Sequence, residues 1–296
     1  MLSIIIPTKD YDCRELVKKL HKQAQELQLP FEIIIGEDGS SHEWISTNAP
    51  LAQLSGCRII ALEENIGRAR IRNLLAEEAK CRYLIFIDSD AAVEHSAFLS
   101  NYANALAHNK VVCGGLYHSA KAPSKECSLR YRYEKRADKR RSAAIRNQSP
   151  YDNFTTFNFA IDREIFLSIK FNEKITRYGY EDTLFGHCLR NRNIAIRHID
   201  NALLHKGLES NAVYLNKVEE SVRTLTGIRS EIGDTPLLMA AKKIERLHMS
   251  SLIARLWELT NKILKKNLLS KHPSLTILNI YKLGFFCHIS SNTRQE

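Results

Sequence analysis

The first hundred residues predict an α/β architecture, a parallel sheet covered by helices on both faces. Three observations carry that prediction. Short apolar runs alternate with segments whose apolar residues recur at helical spacing. The runs are unbroken and rich in β-branched residues, as strands buried on both faces require. Each run then stops at proline, glycine or acidic residues. In such sheets ligands bind outside the carboxyl ends of the strands.

Taken in order, "LSIIIP" is a strand stopped by Pro7. "CRELVKKLHKQAQEL" has helical spacing at Leu16, Leu20 and Leu27. "FEIIIGEDGS" is a second strand that ends in acids and Gly39, and "CRIIALEEN" is a third. "GRARIRNLLAEEA" has helical composition, and "YLIFI" is a fourth strand running into Asp88-Ser-Asp90. From about residue 211 the chain reads as helical and basic. In "AAKKIERLHMSSLIARLWELTNKILKKNLL" apolar residues recur at Ile244, Leu247, Leu252, Leu256, Leu259 and Ile263. The ordinary meaning of that spacing is a face packed against the rest of the protein, and membrane docking is the less common one. No internal repeat is present.

The 296 residues suit one catalytic-size domain with an appendage. A net charge of +10 and a pI near 9.2 point to a polyanionic partner: nucleic acid, anionic lipid or a phosphorylated substrate. Residues 121–146 alone hold ten Lys/Arg against three Asp/Glu. That run reads either as a solvated helical face or as a mobile segment that attracts phosphates or anionic membrane. The seven cysteines are scattered and form no CxxC, which argues against a disulfide framework or a zinc site and fits a reducing, cytoplasmic setting. The N-terminus lacks a basic n-region, and its apolar run is too short for a signal peptide. Neither GxGxxG nor GxxxxGK[ST] follows the first strand, which disfavours dinucleotide and P-loop folds.

Asp88 and Asp90 lie two apart. On an extended chain such residues point the same way, and their hard oxygens suit Mg²⁺ or Mn²⁺ bridging to a phosphate. Alone, the pair reads as a solvated turn. Its neighbours alter the weighting. "SIIIPTKD", "EIIIGEDGS", "ENIGRARIRN", "YLIFIDSDA", "TTFNFAIDREIF", "FNEKITRYGYEDTLFGHCLR" and "ALLHKG" follow one another. This series resembles the family 2 glycosyltransferases of the GT-A fold, over residues 1 to about 207.

The resemblance implies a Rossmann-like mixed sheet flanked by helices. It also implies an enzyme that moves a sugar from a nucleoside-diphosphate donor, UDP being the expected nucleotide, to an acceptor hydroxyl with inversion. Pro7 and Thr8 match the loop lining the nucleobase pocket. Glu37-Asp38 stands where the family has an Asp-Asp pair against base and ribose. Gly67 permits close backbone approach, and Arg68 or Arg72 meets the base or the diphosphate. Asp88 contacts the ribose or the metal-bound diphosphate, and Asp90 binds Mg²⁺ or Mn²⁺, with His205 as a further metal ligand and His198 as a structural competitor. Of Glu181 and Asp182, the resemblance makes Asp182 the base that takes the acceptor proton.

The implied organisation is a transferase domain over 1–210, with a nucleotide-sugar half at 1–120 and an acceptor half at 147–210. A helical C-terminal extension follows over 211–296. The expected partners are a nucleoside-diphosphate sugar and a saccharide or lipid-linked saccharide acceptor. The basic segment and the C-terminal helices motivate peripheral contact with an anionic membrane, at the inner face of the cell membrane. A sugar nucleotidyltransferase is the enzymatic alternative, although "PTKDYDCREL" lacks the glycine-rich loop that class carries. A nucleic-acid-binding protein is the other, but only "LRYRYEKR" interleaves aromatics with cations, so no nucleic acid is expected.

Overall fold

The structure is a computed structural model and describes residues 1–120, 124–138 and 142–292. It divides into two compact units. The first comprises 1–119, 138–176 and 181–207, and the second comprises 120–137, 177–180 and 208–296.

The first unit is built on a seven-stranded sheet. Its strands are β1 (Leu2–Thr8), β2 (Phe31–Asp38), β3 (Cys57–Leu62), β4 (Tyr83–Ile87), β6 (Val111–Cys113), β8 (Asn158–Asp162) and β9 (Ile196–His198), in the order β3-β2-β1-β4-β8-β6-β9. β1 to β4 are mutually parallel, as their sequence predicts. β8 runs antiparallel to both β4 and β6, so the whole sheet is mixed. A second, three-stranded sheet has the order β5-β10-β7, from β5 (Ala91–Ala92), β10 (Leu203–His205) and β7 (Leu116–Tyr117).

The unbroken apolar runs have a direct cause. Ile4, Ile6, Ile33, Ile35, Ile85 and Ile87 enter one core with Leu16, Val17 and Leu20 of α1 (Arg14–Glu26). The intervening Ile5, Ile34, Leu84 and Phe86 enter the opposite core with Ile71 and Leu75 of α3 (Arg68–Glu78). Alternate side chains thus bury on opposite faces, and each fully buried one contributes about 1.5–3 kcal/mol. Phe86 stacks on Phe159 of β8 at 4.8 Å between ring centroids.

The second unit packs its helices on one another. They are α9 (Asn211–Gly227), α10 (Pro236–Arg246), α11 (Ser250–Leu268) and α12 (Leu275–Asn292), joined by most of α5 (Ser128–Asp138). Leu129, Tyr214, Leu215, Val218, Leu268, Leu278 and Tyr281 form its core. The Tyr281 hydroxyl donates to Glu219 at 2.6 Å, and Lys265 pairs with the same carboxylate at 2.9 Å. Among the described residues no helix is long and apolar enough to cross a membrane.

Two sequence expectations change here. Of the basic run, residues 121–123 and 139–141 lie outside the described residues. Within the rest, Arg130 is buried and paired with Glu209 and Glu134. Arg146 is also buried, and donates to the carbonyls of Cys113, Gly114 and Ile199 and to His198 Nδ1. These two arginines hold the fold together and are not part of a solvated face. The apolar stripe of α11 also differs from expectation. Leu252, Leu256, Leu259 and Ile263 point outward, while Ala254 and Leu268 take the buried face.

Candidate active site

β1 and β2 end side by side, with Thr8 in register with Glu37. Asp38, the last residue of β2, organises the loop that precedes α3. Its Oδ1 accepts from Ile66 N at 2.7 Å, and its Oδ2 accepts from Gly67 N at 3.2 Å and Asn65 Nδ2 at 3.1 Å. Gly67 has φ +91°, a left-handed value that favours glycine, and a Cβ there would meet nothing within 4 Å. Backbone conformation, together with an open side, therefore accounts for the glycine. Glu37 is fully buried and accepts from Asn48 Nδ2 at 2.8 Å through Oε1. Its Oε2, Thr8 Oγ1 and Arg72 Nε are buried without a hydrogen-bond partner among the described residues. Native interiors leave few polar atoms in that state, and here the three belong to adjoining elements at the ligand end of the sheet.

The two aspartates after β4 are not on extended chain. Ala91 N donates to Asp88 O at 3.1 Å, closing a turn that gives the two carboxylates different neighbours. Asp88 meets Arg72 at 2.5 Å through Oδ1 and Arg68 at 3.1 Å through Oδ2. Arg72 is only 2% exposed, with its guanidinium 6.0 Å from the Phe171 ring centroid. Arg68 is half-exposed and reaches Glu181 Oε1 at 3.2 Å through Nε. Arg68 thus ties the end of β4 to the start of α8 (Glu181–Asn191).

Asp90 belongs to another cluster. Its Oδ2 lies 3.0 Å from His205 Nε2, His205 Nδ1 lies 3.1 Å from His118 Nε2, and His118 Nδ1 lies 3.3 Å from Asp138 Oδ1. The small sheet makes this arrangement. Antiparallel pairing puts His205 opposite Ala91, beside Asp90. Parallel pairing of Leu204 with Tyr117 brings the next residues, His205 and His118, together. Gly207 is required by contact, because a Cβ there would lie 2.0 Å from Asp90 Oδ2. His118 and Asp138 were not found from sequence. His118 is placed by a strand pairing and Asp138 by the end of α5, and a single sequence displays neither.

Glu181 and Asp182 open α8 and also separate. Glu181 is held by Arg68, whereas Asp182 Oδ1 accepts from the N–H of Thr183 at 2.7 Å and its hydroxyl at 3.3 Å. Burial, reinforced by the charge of Glu181, pushes the Asp182 carboxyl up to about 6, against the bonds from Thr183 and the charge of Arg68. His198 is structural: its Nε2 donates to Pro150 O at 2.8 Å, its Nδ1 accepts from Arg146, and burial pushes its pKa down to about 4.

The sequence matches the family model described as Glycosyl transferase family 2 over residues 3–169, more than half of the chain. The chain belongs to glycosyl transferase family 2. The match takes in Thr8, Asp38, Gly67, Arg72, Asp88 and Asp90 of this family 2 protein and stops short of Asp182 and His205. Its mixed sheet flanked by helices is the GT-A fold, and solved structures share that fold at low sequence identity. A mannosyltransferase from Pyrobaculum calidifontis, in complex with GDP-Man and Mn²⁺, aligns with TM-score 0.58 and 13% identity over 100% of this chain and 87% of its own. S. aureus TarS 1–349 aligns with TM-score 0.51 and 16% identity over 99% and 91%. Glucosyl-3-phosphoglycerate synthase from Mycobacterium tuberculosis, in complex with Mn²⁺, UDP-Glc and phosphoglyceric acid, aligns with TM-score 0.53 and 15% identity over 79% and 81%. No curated protein sequence matches.

Proposed function

We propose that the chain is a metal-dependent, inverting glycosyltransferase. It transfers a hexosyl or N-acetylhexosaminyl group from a nucleoside-diphosphate sugar, UDP-linked in this reading, to a hydroxyl of a saccharide or lipid-linked saccharide. The observation that supports it best is the pairing of Asp90 with His205 at the ligand end of a family 2 sheet. Carboxylate oxygen and imidazole nitrogen together suit Mn²⁺, and the carboxylate also suits Mg²⁺. Among the described residues no group of three or more His, Cys, Asp and Glu is placed to hold a metal. Asp90 and His205 would hold the ion, with a diphosphate and water supplying its other donors. Such an ion would neutralise the charge growing on the departing diphosphate. The Mn²⁺ and sugar nucleotides named with two of the similar structures support this choice for those proteins and motivate it here.

The chain's own residues supply the rest. Asp38 shapes the 65–67 loop, and Arg68 and Arg72 orient Asp88 toward the ribose or diphosphate. With His205 Nε2 kept as a lone pair for the metal, its Nδ1–H donates to His118, whose Nδ1–H donates to Asp138. His118 and Asp138 are thus positioning residues for His205. Asp182 takes the acceptor hydroxyl proton. The acceptor oxygen bonds to the anomeric carbon as that carbon's bond to the diphosphate breaks on the opposite face, which inverts the centre. A carboxyl near 6 is largely ionised at neutral pH and still basic enough for this task. In this reading residues 1–210 are the transferase and 211–296 its extension.

Calorimetry with UDP and GDP, with and without Mn²⁺, tests the donor side. The wild type is expected to bind one of them in a metal-dependent way, and Asp90→Ala to lose that dependence while staying folded. Unchanged metal-dependent binding in Asp90→Ala removes the assignment. A product that retains the donor's anomeric configuration removes the inverting mechanism.

A further inference from the structure

We infer that the outward face of α11 is a docking surface for an anionic lipid bilayer. Leu252, Leu256, Leu259 and Ile263 follow at intervals of four, three and four residues and so form one narrow row. Leu259 is 78% and Ile263 71% exposed. The row spans roughly 16 Å at 1.5 Å per residue. It is extended at its N-terminal side by exposed Leu247 and Met249 in the turn after α10. The opposite face of α11 is accounted for: Ala254, Trp257, Leu264 and Leu268 pack into the unit. The outward row is not left over from a poorly filled core.

The charges beside the row identify the occupant. Arg255, Lys262 and Lys266 lie along one flank of the row, about two turns and then one turn apart, all exposed. Lys243 and Arg246 of α10 are exposed as well, and exposed Lys242 is paired with Asp234. α11 carries a single acidic residue, Glu258, whose Oε1 lies 3.0 Å from His288 Nδ1. An aliphatic row with cations alongside matches the boundary between acyl chains and anionic headgroups. A second copy would bring further cations and a single carboxylate to meet them. The apolar row also covers under two heptads, where a coiled-coil seam needs three or four. This inference stands apart from the donor site, since it would hold whatever sugar the chain transfers.

Flotation of the full chain with vesicles tests it, comparing phosphatidylglycerol-containing with pure phosphatidylcholine membranes. Binding to the anionic vesicles is expected, weakening as salt rises. Removing the cations in Arg255→Gln/Lys262→Gln/Lys266→Gln should weaken it on the order of a hundredfold, about fivefold per charge. Leu259→Ser/Ile263→Ser should weaken it by roughly tenfold or more through lost apolar burial. Both variants should keep the wild-type melting temperature and nucleotide affinity, because the altered side chains are exposed. If one set melts early, the other decides. Absence of flotation at low salt, equal binding to neutral vesicles, or full binding by both variants overturns the inference. A dimer abolished by Leu259→Ser/Ile263→Ser without vesicle binding assigns the face to a second copy. Capture of an acidic amphipathic peptide without vesicle binding assigns it to a protein partner.

Discussion

Asp88 and Asp90 are separated by one residue and belong to different neighbourhoods. Asp88 is held by two guanidiniums from α3, and one of these continues to Glu181. Asp90 faces His205, with His118 and Asp138 behind it. The first cluster is drawn largely from α3 and the end of β4, and its two guanidiniums are balanced by the carboxylates of Asp88 and Glu181. The second is drawn from three short strands and a helix end, and its nitrogen and oxygen donors suit a cation. The turn at Asp88 gives neighbouring carboxylates different partners, guanidinium for one and imidazole for the other. Glu181 and Asp182 divide in the same way, one tied into the arginine network and the other bonded to Thr183 at its own helix start.

The largest expected effect tests that second division. Asp182→Asn should lower kcat by roughly 10²–10⁴-fold, the usual weight of a general base. Donor affinity should hardly move. Its melting temperature at neutral pH should not fall, and this follows from the sign of the shift. The folded protein holds the Asp182 proton more tightly than the unfolded chain, so the ionised form is the costly one as pH rises toward 6 and beyond. A capping role predicts the reverse, a lower melting temperature with activity kept. Glu181→Gln run alongside decides between the neighbours.

The wild-type kcat should rise with pH through a midpoint near 6, as Asp182 loses its proton. Because the charge of Glu181 helps to raise that midpoint, Glu181→Gln should move it lower. A profile flat from pH 5 to 8, a window of about three units around that midpoint, would detach the rate from this carboxyl.

A smaller effect separates the metal side from the nucleotide side. His118→Phe should weaken Mn²⁺ binding about 10–100-fold, as loss of a ligand's hydrogen-bonded support does elsewhere. His118→Gln, which can still accept from His205 Nδ1, should recover much of it. Electron paramagnetic resonance titration of free Mn²⁺ in the presence of nucleotide reads this without turnover. Equal loss in both variants, in step with a lower melting temperature, would make His118 a packing residue only.

The smallest effect is predicted for Asp38→Ala. Three bonds to the 65–67 loop disappear, so stability should fall by about 1–3 kcal/mol. Nucleotide binding should weaken through the loosened loop. Unchanged affinity for UDP and GDP would leave Asp38 with a structural role alone.

The sequence by itself determined the parallel core. Runs such as "SIIIP" and "YLIFI" bury both faces, and a period-2 strand with no polar face has few other places to go. It also pointed to the strand ends as the place for a ligand, because polar residues there stand outside the core that the strands fill. Ordered motifs then brought Asp38, Arg72, Asp88, Asp90, Asp182 and His205 forward together. Tertiary structure decided how those residues divide. That Asp88 turns to arginine and Asp90 to histidine follows from a turn and from the register of two-residue and three-residue strands, too short to carry a period. That Arg130 and Arg146 are buried follows from partners at Glu209 and at the carbonyls of residues 113, 114 and 199. The facing of α11 was decided in the same way. A helix of 19 residues offers apolar side chains on two sides, and the one that Trp257, Leu264 and Leu268 filled left Leu259 and Ile263 to the surface. Spacing along a chain states which residues share a face, and only packing against a particular neighbour states which face is covered.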